Sequence, residues 1–324
     1  MSRHIVRSTF TVATVAALAL GASACNRGGD ASPAPGGTSA AGGGAGKTIT
    51  LAVSTLNNPF FVDLRDGAQE AATAAGATLN VVDAQNDPAT QANQIADAVT
   101  KTAGAIIINP VDSDAAGSAV APANNAKIPV VAVDRVVNGA TVATTVSSDN
   151  VAGGKQAAEA LAKAVGEKGD IIVLQGVPGT SASRDRGQGF TEGIKAFPKI
   201  KVVAQQPANF DRTQGLNVAT NLLQSHPGAV GIFAENDEMA LGAVQALGAK
   251  AGADVKVFGF DGTADGLTAV KDDKMIGTIA QQPKELGKVA VENALKAIGG
   301  ETLAEAVPVP VKTVSKENVN EFMP

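Results

Sequence analysis

The sequence predicts two α/β lobes, each a doubly wound parallel sheet with helices on both faces. Three observations predict it. Short runs rich in Val and Ile alternate with Ala-rich stretches whose apolar residues recur at three-to-four spacing, the pattern of strands separated by helices. The strand runs are apolar throughout rather than at every second residue, as in parallel sheets covered on both faces. The pattern also occurs twice, with matching strings in the two halves, and 324 residues leave room for about two domains of roughly 150 residues.

The elements follow in order. Arg3 and Arg7 precede an uncharged stretch, 8–24, whose 17 residues are short for a membrane span. With small residues Ala22, Ser23 and Ala24 at its end, this reads as a secretory signal peptide over 1–24. Cys25 comes next and resembles the acylated cysteine of bacterial lipoproteins, with Ala22 where those commonly have Leu. Residues 25–46, with eight Gly and two Pro, read as a flexible tether. Strands are expected at 49–54, 79–83, 105–109, 130–134 and 143–147, and again at 170–175, 201–205, 230–234, 255–261 and 275–280. Helical periodicity fills the gaps, for example over 61–75 and 151–165. Asn58-Pro59 and Asp87-Pro88 read as helix caps followed by Pro in the first turn.

The repeat locates a site. Gly104-Ala-Ile-Ile-Ile-Asn-Pro-Val-Asp aligns with Gly228-Ala-Val-Gly-Ile-Phe-Ala-Glu-Asn, and Pro129-Val-Val-Ala-Val-Asp134 with Lys256-Val-Phe-Gly-Phe-Asp261. Each half therefore ends its fourth strand in an aspartate. Ligands of open parallel sheets bind beyond the carboxyl ends of the strands, so facing lobes would bring Asp134 and Asp261 to one cleft. The strand ends of the first half collect Ser54, Asn58, Phe60, Phe61, Asp134, Arg135 and Ser148; those of the second collect Val177, Arg186, Phe210, Asn236, Asp261 and Gln281. Carboxylates accept from hydroxyls, Arg and Asn donate to hydroxyl and ring oxygens, and Phe faces sandwich C–H faces. The set suits a small uncharged polyol. Asn58 has a second use as a helix cap. Phe60 and Phe61 are adjacent on a helix, so at least one is expected to face the cleft. Arg135 and Arg186 read equally as solvated surface charges.

Composition and motifs narrow the alternatives. Net charge is −5 with no basic stripe, which argues against nucleic acid. Two His, one Cys and no Trp or Tyr argue against His/Cys zinc sites, disulfides and Cys–His catalysis. A glycosidase pair of Asp134 and Asp261 is disfavoured because Arg135 and Arg186 should hold both carboxylates ionised. A Ser–His–Asp hydrolase would need His226, which precedes Pro227 in an expected loop. Gly46-Lys47-Thr48 has Ala41 at the first Gly of a phosphate loop, and a calcium loop from Asp83 would place Pro88 and Gln94 at its glycine and final ligand. A sugar-responsive repressor would carry a DNA-binding helix pair where the signal peptide stands.

The strings themselves carry a resemblance. Ser54-Thr-Leu-Asn-Asn-Pro-Phe-Phe-Val, Asp-Gly-Ala-Gln at 66–69, Ile-Asn-Pro-Val-Asp-Ser-Asp at 108–114, Val133-Asp-Arg and Ser148-Asp-Asn belong to it. So do Leu174-Gln-Gly, Gly179-Thr-Ser-Ala, Gln206-Pro-Ala-Asn-Phe-Asp-Arg, Glu235-Asn-Asp-Glu-Met-Ala-Leu-Gly-Ala and Gly259-Phe-Asp-Gly-Thr. Together, from about Lys47 to Val311, they resemble the periplasmic sugar-binding proteins of type I fold, the ribose-binding ones above all. The resemblance implies lobes joined by three crossings near 148–149, 281–282 and 309–310. The first lobe would then hold 47–148 and 282–309, the second 149–281 and 310–324. It implies a sugar, D-ribose first, touching the twelve polar and aromatic residues above, with Val177 where the family has an aliphatic lining residue. It further implies a monomer with no cofactor; the Gly-rich tether and Cys25 differ from the freely diffusing members and resemble tethered ones, exported and tied to the membrane only through that lipidated cysteine. Its partner would be the permease of an ABC importer; a related pentose, hexose or furanose ligand and a chemoreceptor are the alternatives.

Overall fold

The computed structural model describes residues 47–323; the signal peptide, Cys25 and the tether, 1–46, lie outside the described residues. Elements are numbered in chain order. The first half runs β1 (Thr48–Val53), α1 (Pro59–Ala74), β2 (Thr78–Asp83), α2 (Pro88–Thr100) and β3 (Ala105–Ile108). It continues through α3 (Ala115–Asn125), β4 (Val130–Val133) and β5 (Thr144–Ser148). The second half runs α4 (Asn150–Ala164), β6 (Gly169–Gln175), α5 (Ser181–Ile194), β7 (Ile200–Pro207) and α6 (Arg212–Ser225). Next come β8 (Ala229–Ala234), α7 (Asp237–Leu247), β9 (Lys256–Asp261), α8 (Ala264–Lys271) and β10 (Gly277–Ala280). Then follow α9 (Pro283–Ile298), β11 (Ala306–Val309) and β12 (Lys312–Ser315).

Two six-stranded sheets result, in the orders β11-β5-β4-β3-β1-β2 and β12-β10-β9-β8-β6-β7. The second repeats the first strand for strand, so β4 and β9, which lead into Asp134 and Asp261, hold equivalent places. Alternate residues of each strand enter opposite cores. Ile107 and Val131 pack with Leu64, Leu286 and Val291, while Ile106, Ile108 and Ala132 pack with Ile95 and Val120. Likewise Ile172 and Ile232 pack with Met239, while Ile171, Phe233 and Phe258 pack with Leu161 and Phe190. Burial on both faces explains the unbroken apolar runs.

The first sheet is parallel throughout, but β12 pairs antiparallel with β10. Every other strand of either sheet runs toward the cleft. The chain leaves β11 at the cleft, enters the second lobe there, and β12 must run away from it. The chain passes between sheets three times: between Ser148 and Asn150, between Ala280 and Pro283, and between Val309 and Lys312. Accordingly α4 packs on β9 and β10, and α9 on β3, β4, β5 and α1.

Candidate ligand-binding site

The carboxyl ends of the strands face a cleft, about 240 Å³ of space with open solvent included, lined by Asn58, Phe60, Phe61, Asp134, Arg135, Ala182, Arg186, Phe210, Asn236, Asp261 and Gln281. Helix starts position four of the lining residues. Asn58 Oδ1 accepts from the Phe60 amide at 2.9 Å, capping α1 and leaving its side-chain nitrogen for the cavity. Because Phe60 and Phe61 occupy the first turn of α1, both line the cavity, their rings edge-to-face with centroids 5.2 Å apart. Asn236 Oδ1 caps α7 by accepting from the Met239 amide at 2.9 Å.

The four charged residues are almost wholly buried: Asp134 3%, Arg135 4%, Arg186 3% and Asp261 5% exposed. The solvated reading of the arginines is thereby excluded. Asn109 Nδ2 donates to Asp134 Oδ2 at 3.1 Å, and Arg135 Nε lies 3.5 Å from the same oxygen. Across the cleft, Gln281 Nε2 donates to Asp261 Oδ1 at 2.7 Å and Arg186 Nη1 approaches it at 3.5 Å. Arg186 also donates to the Glu235 carbonyl at 2.6 Å and to Asn150 Oδ1 at 2.9 Å; Arg135 donates to the Pro110 carbonyl at 2.8 Å. Phe210 lies between them, 5.7 Å from each guanidinium. The arginines do not hold the carboxylates at ordinary acidity. Burial is the larger effect: it raises the Asp134 carboxyl, and the Asp261 carboxyl well above the usual range, against the pull of the guanidiniums.

Among the described residues, buried Asp134 Oδ1 and Gln281 Oε1 have no hydrogen-bond partner, although both side chains line the cavity. Buried acceptors in folded proteins are normally paired, so these two mark where a donor-bearing ligand belongs.

Three expected residues stand outside the lining. Ser54, at the end of β1, is fully buried behind it, its amide donating to Asn109 Oδ1 at 3.1 Å. Ser148 ends β5 at the crossing into the second lobe, buried but off the cavity wall. Val177 is half-buried in the β6–α5 turn, its carbonyl accepting from Thr180 Oγ1 at 2.8 Å, so it serves the turn. Ala182 joins the lining, unmarked in sequence because an alanine carries no chemical signal. The partners Asn109, Asn150 and Glu235 also escaped the strand-end reasoning, since each acts through a lining residue. His226 follows α6 and is absent from the lining.

Fold and cleft together define a two-lobed binding protein, and the comparisons agree. A family model described as the periplasmic binding protein domain matches residues 49–302, and the chain belongs to that family. Within it, the chain is 50% identical over 270 residues to the ribose import binding protein of Escherichia coli K12, covering 83% of this chain and 91% of the relative. It is 46% identical over 265 residues to the ribose import binding protein of Bacillus subtilis 168, covering 82% and 86%. Among solved structures, an ABC transporter periplasmic solute binding protein of Actinobacillus succinogenes 130z with bound D-allose superposes with a TM-score of 0.80. That protein is 35% identical, and the match covers 85% of this chain and 99% of the other.

Proposed function

We propose that the chain is the binding component of a sugar importer, capturing D-ribose between its lobes and delivering it to the membrane permease of an ABC transporter. One observation carries the reading: two buried aspartates, at equivalent strand ends of two repeated lobes, face one cleft lined by polar and aromatic side chains in which acceptor atoms stand unpaired. Sugar hydroxyls supply the missing donors, and Phe60, Phe61 and Phe210 cover its C–H faces. The relatives named for ribose import support ribose over other sugars. An anionic ligand would meet two carboxylates, and an apolar one would leave the polar atoms unpaired.

Ribose has ten non-hydrogen atoms, so a ceiling of about −1.5 kcal/mol per atom limits its binding to roughly −15 kcal/mol. Micromolar affinity uses about −8 of these, which requires near-complete enclosure. Calorimetry against pentoses and hexoses should show ribose bound most tightly. Glucose bound as tightly would overturn the pentose assignment.

The cleft binds rather than transforms its ligand. The chain acts outside the cytoplasm, held by lipid on Cys25 after removal of 1–24, as a charged start, an apolar run and a single following cysteine support. Intact-mass spectrometry of membrane-extracted protein should find the acylated Cys25; an unmodified start elsewhere refutes it. Cys25→Ser should release the protein from the membrane.

A further inference from the structure

The lobes also meet outside the cavity. The Ser113 amide donates to the Gly179 carbonyl at 3.1 Å, the Ser181 amide to Ser113 Oγ at 3.2 Å, and the Val136 amide to Ser181 Oγ at 3.0 Å. Ser113 and Val136 lie in the turns after β3 and β4 of the first lobe; Gly179 and Ser181 lie where β6 turns into α5 of the second. None of the four lines the cavity, and both serines are buried. Gly179 has φ +87, and a Cβ there would sit 2.1 Å from Asp112 Oδ2, so glycine allows the two turns to approach.

The second-lobe turn is held independently of the first lobe. The Gly176 amide donates to Glu235 Oε2 at 2.7 Å, the Ser183 hydroxyl donates to the same oxygen, and Thr180 Oγ1 donates to the Val177 carbonyl at 2.8 Å. The second lobe therefore presents its half ready-made. The three bonds between the lobes exist only when the lobes are together; apart, their donors and acceptors face water.

We propose that Ser113 and Ser181 form an interlobe latch that sets the open–closed equilibrium, and with it the affinity for every ligand, separately from the residues that select the ligand. The proposal rests on reading the cleft as a sugar site. Apparent affinity scales with the fraction of molecules in the binding-competent state. Loss of the latch lowers that factor equally for all sugars, whereas loss of a lining residue changes their ratio. Bonds completed at the end of closure act on escape, so the change falls on the dissociation rate.

Ser113→Ala and Ser181→Ala test this by calorimetry and stopped flow. Each should weaken ribose binding about tenfold, the scale of one buried hydrogen bond with its partner left unpaired. Dissociation should quicken in proportion, while association, the ratio of ribose to a second bound sugar and the melting temperature of the sugar-free protein stay unchanged. Unchanged affinities in both overturn the latch. So does a shifted sugar ratio, or a sugar-free melting temperature lowered as much as the loaded one. If the wild type binds no sugar, the function reading fails by itself. Paramagnetic relaxation enhancement from a spin label on one lobe to amides of the other, which is weighted to the minor closed population, then decides the latch: Ser113→Ala must lower the sugar-free enhancement about tenfold, and an unchanged enhancement overturns it.

Discussion

Asp134 and Asp261 hold left-handed backbone angles, φ 65 and φ 122, which an L-residue adopts only at a cost. The same strain at equivalent strand ends of both repeats serves to turn a carboxylate into the cleft. Truncating Asp261→Ala removes the acceptor of Gln281 Nε2 and leaves Arg186 Nη1 with the Glu235 carbonyl alone. Ribose affinity should fall by roughly 2–4 kcal/mol, read by calorimetry. Glu235 makes a different prediction. Burial lifts its carboxyl from 4.5 to about 7, opposed by the Gly176 amide, the Ser183 hydroxyl and the nearby Arg186 charge. The folded protein thus holds a proton that the unfolded chain has released above pH 4.5. Stability is lost as pH rises from 4.5 to about 7 and is level beyond, a change of about 3 kcal/mol at 1.36 kcal/mol per pH unit. Urea unfolding of Glu235→Gln should be flatter than wild type across that interval, with its relative gain largest above pH 7; parallel curves would place the titration elsewhere.

Elements with strong local signals were legible from sequence. Ten strands and the capped starts of α1 and α2 fall within a residue or two of their expected places, because apolar runs and Asx-Pro caps are local features. The edge strands β11 and β12 escaped notice. Ala306–Val309 is only four residues with Pro308 inside, and its burial is slight except at Val309, so no periodicity betrays it; what makes it a strand is the partner β5. Of the site, ten of the thirteen residues expected at the strand ends line the cleft, while Ser54, Ser148 and Val177 stand outside the lining. Close helix packing was equally invisible. Where α1 crosses α9, a Cβ on Gly67 would sit 2.1 Å from the Lys284 carbonyl oxygen, and one on Gly287 would sit 2.0 Å from that of Leu64. Backbone atoms cannot step aside as a side chain can, so Gly287→Ala must push the helices apart. Overpacking of this kind costs roughly 1–3 kcal/mol, and the urea midpoint should fall accordingly.

At the scale of the molecule, closure is a contest between desolvation and pairing. Bringing the lobes together buries Asp134, Arg135, Arg186 and Asp261 from both sides. Without a ligand, Asp134 Oδ1 and Gln281 Oε1 then trade water for no partner, so the open form, with these atoms hydrated, is favoured. A sugar reverses the balance by donating hydroxyls to those acceptors, and it shifts the equilibrium by its differential affinity for the closed form. Moving a population from 1:99 to 99:1 needs a closed form that binds the sugar about 10⁴-fold more tightly than the open one, about 5.5 kcal/mol, and the contacts completed only on closure must supply that difference. Three crossings at 148–150, 280–283 and 309–312 join lobes with separate apolar cores, an arrangement in which hinge residues absorb the rotation and the lobes move rigidly. On the proposed function, the loaded, closed form is the one expected to bring the two lobe surfaces into the relative position a permease recognises. Small-angle scattering should show the radius of gyration falling on saturation with ribose, and wild type falling further than Asp261→Ala at equal sugar. A radius unchanged by saturating ribose would defeat the hinge while leaving the binding assignment to calorimetry.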